Sequence, residues 1–294
     1  MKKLPWLLML LVTLLWGCAP EQPCDIDATT LPVYQFTTRL TAGTDLTVTR
    51  LVTENVSCLH DYTLTVDQMK AIEHARVVVI SGAGLEDFLG EALSGAETVI
   101  DSSANIPLLD GGHHHHHDDE STEEDSHHHD HDPHLWLSPA CAMAQAENIC
   151  AGLSAEYPEY QDIFEENLTS LLADLQDLQT YGNEELADLH SRQILTFHDG
   201  FGYLAQAFDI EIVASIEEES GAEASAKELI HMIEEVRIHG IPAIFVEENS
   251  SGSAASIIAA ETGAKKATLS MAMSGDDYFA AMYANIDALK EALQ

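Results

Sequence analysis

Histidine is the residue type in this sequence that most directly suggests chemistry. The chain has 16 histidines, and ten of them fall between His113 and His134, mixed with blocks of Asp and Glu. Neutral imidazoles and carboxylates suit borderline transition metals such as zinc, nickel and copper. A segment of this composition cannot build an apolar core, so we predict a flexible metal-capturing loop over residues 111–132. Its candidate ligands are His113, His114, His115, His116, His117, His127, His128, His129 and His131.

An engineered purification tag is the alternative interpretation of this segment. The five consecutive histidines lie inside the chain, however, and acidic residues and further histidines flank them. This arrangement favours metal capture, with weak and multiple sites.

Three other histidines, His60, His134 and His198, stand where predicted strands give way to helices. In open α/β sheets, ligands bind at the carboxyl ends of the strands. A single histidine at such a position is more often an ordinary hydrogen-bonded residue. Three at equivalent positions, two in the first half of the chain and one in the second, indicate a shared metal site.

The elements that must position these histidines follow a repeated strand–helix order, which predicts parallel sheets covered by helices. We predict an α/β fold of two Rossmann-like lobes, spanning residues 25–157 and 189–294, joined by one long rigid helix over residues 158–188, because only Gly182 interrupts the helical spacing of its apolar residues. The predicted strands are 46–52, 77–80, 98–100, 194–197, 210–213 and 243–246. The other predicted helices are 65–75, 85–93, 202–208, 226–239, 253–262 and 277–293.

A glycine-containing turn, Gly82-Ala83-Gly84, follows the strand predicted at residues 77–80. Such a turn can cradle a dinucleotide phosphate, but the third glycine and the matching acidic residue of that motif are not evident. We therefore interpret the turn as structural.

The N-terminus has the layout of a secretory signal: Lys2 and Lys3 precede an apolar run from Leu4 to Trp16, which is too short to span a bilayer comfortably. Leu15-Trp16-Gly17-Cys18 resembles a bacterial lipobox, so residues 1–18 would be a lipoprotein signal in which Cys18 is lipidated. An ordinary signal cleaved elsewhere is the alternative. Both interpretations place the mature chain outside the cytoplasmic membrane.

Four cysteines remain: Cys24, Cys58, Cys141 and Cys150. Export permits disulfides, but the sequence does not choose among the pairings, and free thiols are the alternative. A Cys141–Cys150 pair is the least favoured, because nine helical residues rise about 13 Å and a disulfide needs Cα atoms within about 7 Å.

The overall charge narrows the possible partners. Twelve basic and 50 acidic residues give a formal net charge of −38, which argues against a nucleic-acid partner and favours cations. With 46% hydrophobic residues, the chain can still bury a large core.

Four ordered motifs carry a resemblance to a known family: Cys58-Leu59-His60-Asp61-Tyr62, Asp132-Pro133-His134-Leu135-Trp136-Leu137-Ser138-Pro139, His198-Asp199-Gly200-Phe201-Gly202-Tyr203, and Glu223-Ala224-Ser225-Ala226-Lys227-Glu228-Leu229. They resemble the metal-binding solute-binding lipoproteins of bacterial ABC importers. The acidic histidine-rich segment before Asp132 resembles the zinc-uptake branch. The resemblance implies a metal between two lobes, a lipid anchor, and a permease and an ATPase as partners; we expect a monomer.

The chain departs from the family at one position, where Ser270 stands in place of the usual carboxylate. Serine is a poor zinc ligand, so the fourth ligand beside His60, His134 and His198 would be water or a carboxylate. The candidate carboxylates are Glu218, Glu247 and Glu248.

The resulting hypothesis is a non-enzymatic lipoprotein that captures Zn²⁺ and delivers it to an ABC importer. A homologue that binds Mn²⁺ or another divalent metal, a surface metal buffer or adhesin, and a zinc hydrolase are the alternatives. The hydrolase lacks support because no His-Glu-x-x-His unit occurs. Asp61 and Asp199, next to two of the predicted ligands, would orient them or cap the following helices.

Overall fold

The computed structural model describes residues 24–54, 59, 62–111, 131–215, 225–248, 250 and 252–294. Several sites predicted from the sequence lie outside these residues. They are Cys18, Cys58, His60, Asp61, Glu218 and most of the histidine-rich segment.

The first sheet has four parallel strands in the order β2-β1-β3-β4. They are β1 (Ile26–Ala28), β2 (Val48–Arg50), β3 (Val77–Ile80) and β4 (Thr98–Asp101). The helices of this half are α1 (Leu31–Leu40), α2 (Val66–His74) and α3 (Pro139–Glu156). The sequence predicted β3 and α2 well, since Val77, Val78 and Val79 are fully buried and Thr65 with Gln68 forms a capping box at α2.

The segment predicted as a helix at residues 85–93 is a 3₁₀ helix at Asp87–Gly95. Gly90 adopts a φ of 45° inside it, which no α-helix accommodates. This kink is the physical reason for the difference from the prediction.

The glycine-containing turn after β3 is structural, as the sequence suggested. Gly82, Ala83 and Gly84 all have positive φ values. The carboxylate of Glu86 accepts the backbone N–H groups of Ser81 and Gly82 at 2.7 and 2.9 Å. A phosphate bound in this turn would need the same two donors, and the Glu86 side chain already occupies them. Complete burial raises the pKa of Glu86 to about 7.

The second sheet repeats the arrangement, with four parallel strands in the order β6-β5-β7-β8. The strands are β5 (Gln193–Thr196), β6 (Glu211–Ser215), β7 (Ala243–Glu247) and β8 (Lys265–Leu269). After helix α4 (Gln161–Glu185), which joins the two halves, the helices are α5 (Gly202–Ala207), α6 (Ala226–His239), α7 (Ser253–Thr262) and α8 (Tyr278–Leu293). The predicted two-sheet α/β fold is therefore confirmed.

The connecting helix α4 spans Gln161–Glu185 and follows a short 3₁₀ turn at Pro158–Tyr160. At 25 residues it is about 37 Å long. Gly182 interrupts the apolar spacing of the sequence, but the helix itself is continuous through this residue. Gly182 lies inside α4, and a Cβ atom there would collide with the ring of Phe208. The glycine therefore lets the ring of Phe208 pack closely against the helix.

Side-chain contacts also join the two halves directly. The Trp136 indole donates to the carbonyl of Met271, and the Tyr278 hydroxyl donates to the carbonyl of Trp136, both at 2.7 Å. Gln35 donates to the Asp276 carbonyl and accepts from the Tyr278 amide, at 2.7 and 2.9 Å. The segment that follows β8 is thus fixed to the first half of the molecule at several points.

The three cysteines that the structure describes are free thiols. Cys141 and Cys150 both lie on α3, as the distance argument against their pairing assumed. Cys24 precedes β1, and Cys58 is outside the described residues.

Candidate metal centre

His134 and His198 come from different halves of the molecule and meet in the cleft between them. His134 directly precedes the 3₁₀ turn Leu135–Leu137, whose three side chains are completely buried and anchor the backbone. His198 follows β5 by two residues, at the carboxyl end of the second sheet. Their ring centroids are 5.5 Å apart, and the ring planes lie at 82° to each other.

This separation fits a single metal ion between the two imidazoles. With Zn–N bonds of about 2.1 Å, two imidazoles on one tetrahedral ion have centroids roughly 5 Å apart. The structure therefore brings together two of the three predicted histidine ligands at a distance suited to shared binding.

The orientation of His134 is set by Asp132. The Nδ1 atom of His134 is 2.7 Å from Oδ1 of Asp132, and the backbone N–H of His134 donates to the same oxygen at 2.9 Å. A carboxylate only accepts hydrogen bonds, so Nδ1 carries the proton and Nε2 keeps a lone pair for a metal. Both side chains are nearly buried, with 4% and 6% exposure.

His198 has a similar environment in the other half. Its Nδ1 atom is 3.2 Å from Oε1 of Glu247, the last residue of β7. Gly200 packs against the opposite edge of the ring. A Cβ atom at Gly200 would lie 2.7 Å from Nε2 of His198 and 2.8 Å from Cε of Met271. Any larger residue would crowd the nitrogen that faces away from Glu247.

The other candidate ligands have different positions. Glu247 contacts Nδ1 of His198, on the side of the ring away from Nε2, which suits an orienting group better than a direct ligand. Glu248 is exposed, and His60 and Glu218 are outside the described residues. Among the residues that are described, no three His, Cys, Asp or Glu side chains gather closely enough to hold a metal by themselves.

Ser270 directly follows β8, and Asn285 fixes its backbone. The Ser270 amide donates to Oδ1 of Asn285 at 2.7 Å, and Nδ2 of Asn285 donates to the Ser270 carbonyl at 2.8 Å. The Ser270 hydroxyl accepts the amide of Ala272 at 3.1 Å. This side chain therefore serves the local turn.

Of the histidines in the histidine-rich segment, the structure describes only His131, near its end. His131 is exposed and forms an isolated antiparallel bridge with Asp110, and the next residue, Asp132, donates its amide to the Leu109 carbonyl. The base of the segment is thus fixed directly beside the Asp132–His134 pair.

Sequence reasoning missed the roles of Asp132, Glu247 and Gly200. The contact of Asp132 with His134 could have been found from the sequence, since Asp132 lies two residues before His134 in the same motif. No local pattern could indicate the contact of Glu247 with His198, because the two are 49 positions apart and only the pairing of β5 with β7 brings them together. Asp199 does not occupy the N-cap of α5, which is Phe201.

Two similar parallel-sheet halves joined by a long helix, with a cleft between them, are the architecture of a two-lobed solute-binding protein. A family model described as zinc-uptake complex component A, periplasmic, matches residues 26–292. The chain therefore belongs to this family, as its motifs suggested.

Two curated relatives and one solved structure show how far the similarity extends. The zinc-binding lipoprotein AdcA of Streptococcus pneumoniae strain R6 is 31% identical over 308 residues, covering 99% of this chain and 61% of AdcA. The high-affinity zinc uptake system protein ZnuA of Bacillus subtilis strain 168 is 30% identical over 274 residues, covering 89% of this chain and 85% of ZnuA. The chain thus spans about three fifths of the length of AdcA.

The crystal structure of the Zn(II)-bound ZnuA-like domain of Streptococcus pneumoniae AdcA matches with a TM-score of 0.76 at 28% identity. The match covers 92% of this chain and 99% of that domain. No helix among the described residues is both long enough and apolar enough to cross a membrane.

Proposed function

We propose that this protein captures Zn²⁺ in the cleft between its two lobes and delivers it to the permease and ATPase of an ABC importer, without carrying out a reaction itself. The observation that carries the proposal is the pair His134 and His198, contributed by different lobes and separated by 5.5 Å between ring centroids. Membership of the zinc-uptake component family and similarity to a Zn(II)-bound domain support zinc as the ion.

In this proposal His60 is the third imidazole, and a water molecule or a carboxylate completes the coordination. The histidine-rich segment raises the local concentration of the ion or senses its supply. Cys18 carries the lipid that anchors the monomeric chain outside the cytoplasmic membrane. The relatives named zinc-binding lipoprotein and zinc uptake system protein support this location and these partners.

Zinc is favoured over manganese because of the ligand chemistry in the cleft. Mn²⁺ prefers carboxylate, carbonyl and water oxygens, whereas imidazole suits zinc. The two cleft side chains described here are imidazoles, and Ser270 offers no carboxylate at its position.

Competition titration with a chromophoric chelator tests the proposal. The chain lacking residues 112–130 should bind one Zn²⁺ tightly and prefer it to Mn²⁺. His60→Ala, His134→Ala and His198→Ala should each abolish tight binding, whereas His239→Ala, at an exposed histidine of α6, should not change it. Tight binding of one Zn²⁺ by the triple variant would refute the site assignment.

A further inference from the structure

The two cleft histidines share an arrangement that metal ligation alone does not require. In each case a nearly buried carboxylate lies against Nδ1: Asp132 at 2.7 Å from His134, and Glu247 at 3.2 Å from His198. One pair belongs to the loop before α3 and the other to the ends of β5 and β7, so the arrangement arises twice, from unrelated local structure.

The carboxylates are also held in place by their own surroundings. Asp132 accepts the His134 backbone N–H, and a Cβ atom at Gly202 would lie 2.8 Å from its second oxygen. Glu247 is the last residue of β7, an internal strand of the second sheet, and its side chain is 9% exposed. Neither carboxylate can turn easily towards a ligand at Nε2.

The two carboxylates can balance the positive charge of a metal ion bound between the histidines. Neutral imidazoles bring no negative charge to a dication, and an ion in a cleft of low dielectric is costly without compensation. Two carboxylates at the far side of the rings supply a charge of −2 while the metal still meets nitrogen. They also fix the tautomer and raise the basicity of Nε2.

We infer that Asp132 and Glu247 are positioning residues that hold His134 and His198 with Nε2 directed at the ion and compensate its charge through the imidazole rings. This inference rests on the proposed zinc site and deepens it. It also explains how the cleft would select its metal. The carboxylates reach the ion only through imidazole nitrogens, and this favours Zn²⁺ over an ion that needs direct oxygen ligands.

The test uses the full chain with less than one equivalent of Zn²⁺ or Co²⁺, so that the ion occupies the tightest site. Glu247→Gln keeps an acceptor for Nδ1–H and removes the charge, and Glu247→Leu removes both; Asp132→Asn is the corresponding change in the first lobe. We expect about 10-fold weaker Zn²⁺ binding for the amides and about 100-fold for Glu247→Leu. The visible absorption bands of bound Co²⁺ should shift in each variant, which a purely structural role would not cause.

Glu235→Gln is the matched control, because Glu235 pairs with the exposed His239 at 3.3 Å, away from the cleft. It should leave the Zn²⁺ affinity and the Co²⁺ spectrum unchanged. Glu247→Asp, which keeps the charge, should recover most of the affinity that Glu247→Gln loses, and it replaces Glu247→Gln in the comparison if that variant unfolds.

The outcomes separate this inference from the proposed function. Wild-type affinity and an unchanged Co²⁺ spectrum in Glu247→Gln, Glu247→Leu and Asp132→Asn would overturn the positioning role while the zinc site stands. An equal loss of affinity in Glu247→Asp and Glu247→Leu would also overturn it, because charge would then not matter. Tight binding by His198→Ala would instead refute the zinc site.

Discussion

The two lobes share a strand order, and their central strands have the same register at the carboxyl end. After β1, the Thr29 amide donates to the Val79 carbonyl of β3; after β5, the Phe197 amide donates to the Phe245 carbonyl of β7, both at 3.0 Å. Thr29 therefore matches Phe197, and the residues that follow can be compared one by one.

At the next matched position, the first lobe has a pair of residues that only packs, and the second lobe has a pair that belongs to the proposed metal site. In the first lobe, Thr30 and Ser81 form a buried hydroxyl–hydroxyl hydrogen bond of 3.0 Å. The equivalent residues of the second lobe are His198 and Glu247, which are 3.2 Å apart. In the proposed site, the same backbone position therefore provides a metal ligand in the second lobe and only a packing contact in the first. The first lobe provides its proposed ligand, His134, from the loop before α3.

At a second matched position, the two lobes bury side chains of opposite polarity, which affects the stability of the fold. Asp27 in β1 corresponds to Leu195 in β5, and both side chains are completely buried. Leu195 lies in an apolar cluster, whereas neither carboxylate oxygen of Asp27 has a hydrogen-bond partner among the described residues. Burial raises the pKa of Asp27 to about 6. The first lobe therefore contains a destabilised position where the second has a core residue.

The largest expected effect is on zinc affinity at the first matched pair. His198→Ala removes a proposed zinc ligand. Zn²⁺ affinity should therefore fall by well over 100-fold, since loss of a residue that only orients a ligand costs about 10- to 100-fold. Thr30→Ala removes only a hydrogen bond, which costs about 1 kcal/mol of stability and leaves zinc affinity unchanged. Calorimetric titration of both variants checks this, and equal affinity losses would mean that the two positions are not functionally different.

The next largest expected effect is on the free energy of unfolding when Asp27 is replaced. Because the pKa is raised from 3.8 to about 6, the folded state holds its proton more tightly, and stability falls as pH rises between these values. Asp27→Val should therefore stabilise the protein by about 3 kcal/mol near pH 8 and by only about 1 kcal/mol near pH 4.5. Urea unfolding at both pH values measures this.

Asp27→Asn is the control for that experiment, since it removes the charge and keeps the shape. Its stability relative to the wild type should change with pH as that of Asp27→Val does, although its buried amide gives less stabilisation overall. A stability difference that does not change with pH in either variant would show that Asp27 does not titrate in the folded protein.

The smallest effect is expected at the glycine beside His198. Gly200→Ala places a methyl group 2.7 Å from Nε2, so the ring or Met271 must shift, and Zn²⁺ affinity should fall about 10-fold, or about 1.4 kcal/mol. Gly95→Ala is the matched control, because its Cβ atom would meet no described residue within 4 Å apart from its own chain neighbours. If both variants bind Zn²⁺ like the wild type, the close packing at Gly200 has no role in the site.

Much of the fold could be predicted because its strongest elements have local signals. The continuous apolar runs of β3 and β7 and the serine cap of α6 at Ser225 mark buried strands and a helix start without tertiary information. Strand β1 was missed because it is three residues long and Asp27 interrupts its apolar pattern. The reason for a glycine at position 182 could not be predicted, because it is the close packing of a ring that is distant in sequence, that of Phe208.

The candidate site also contains some residues with a local sequence signal and others without one. His134 and His198 could be predicted to lie in one cleft because one precedes a buried turn and the other follows the end of a strand. Their partners could be recognised only when near in sequence, as Asp132 is. The contact of Glu247 with His198 depends on sheet order, which periodicity does not encode.

Zinc-edge anomalous diffraction from crystals of the full chain with one equivalent of Zn²⁺ tests the central claim most directly. The account predicts one strong anomalous peak about 2.1 Å from Nε2 of both His134 and His198, with Asp132 and Glu247 still at their Nδ1 atoms. A dominant peak that contacts neither Nε2 atom would contradict it.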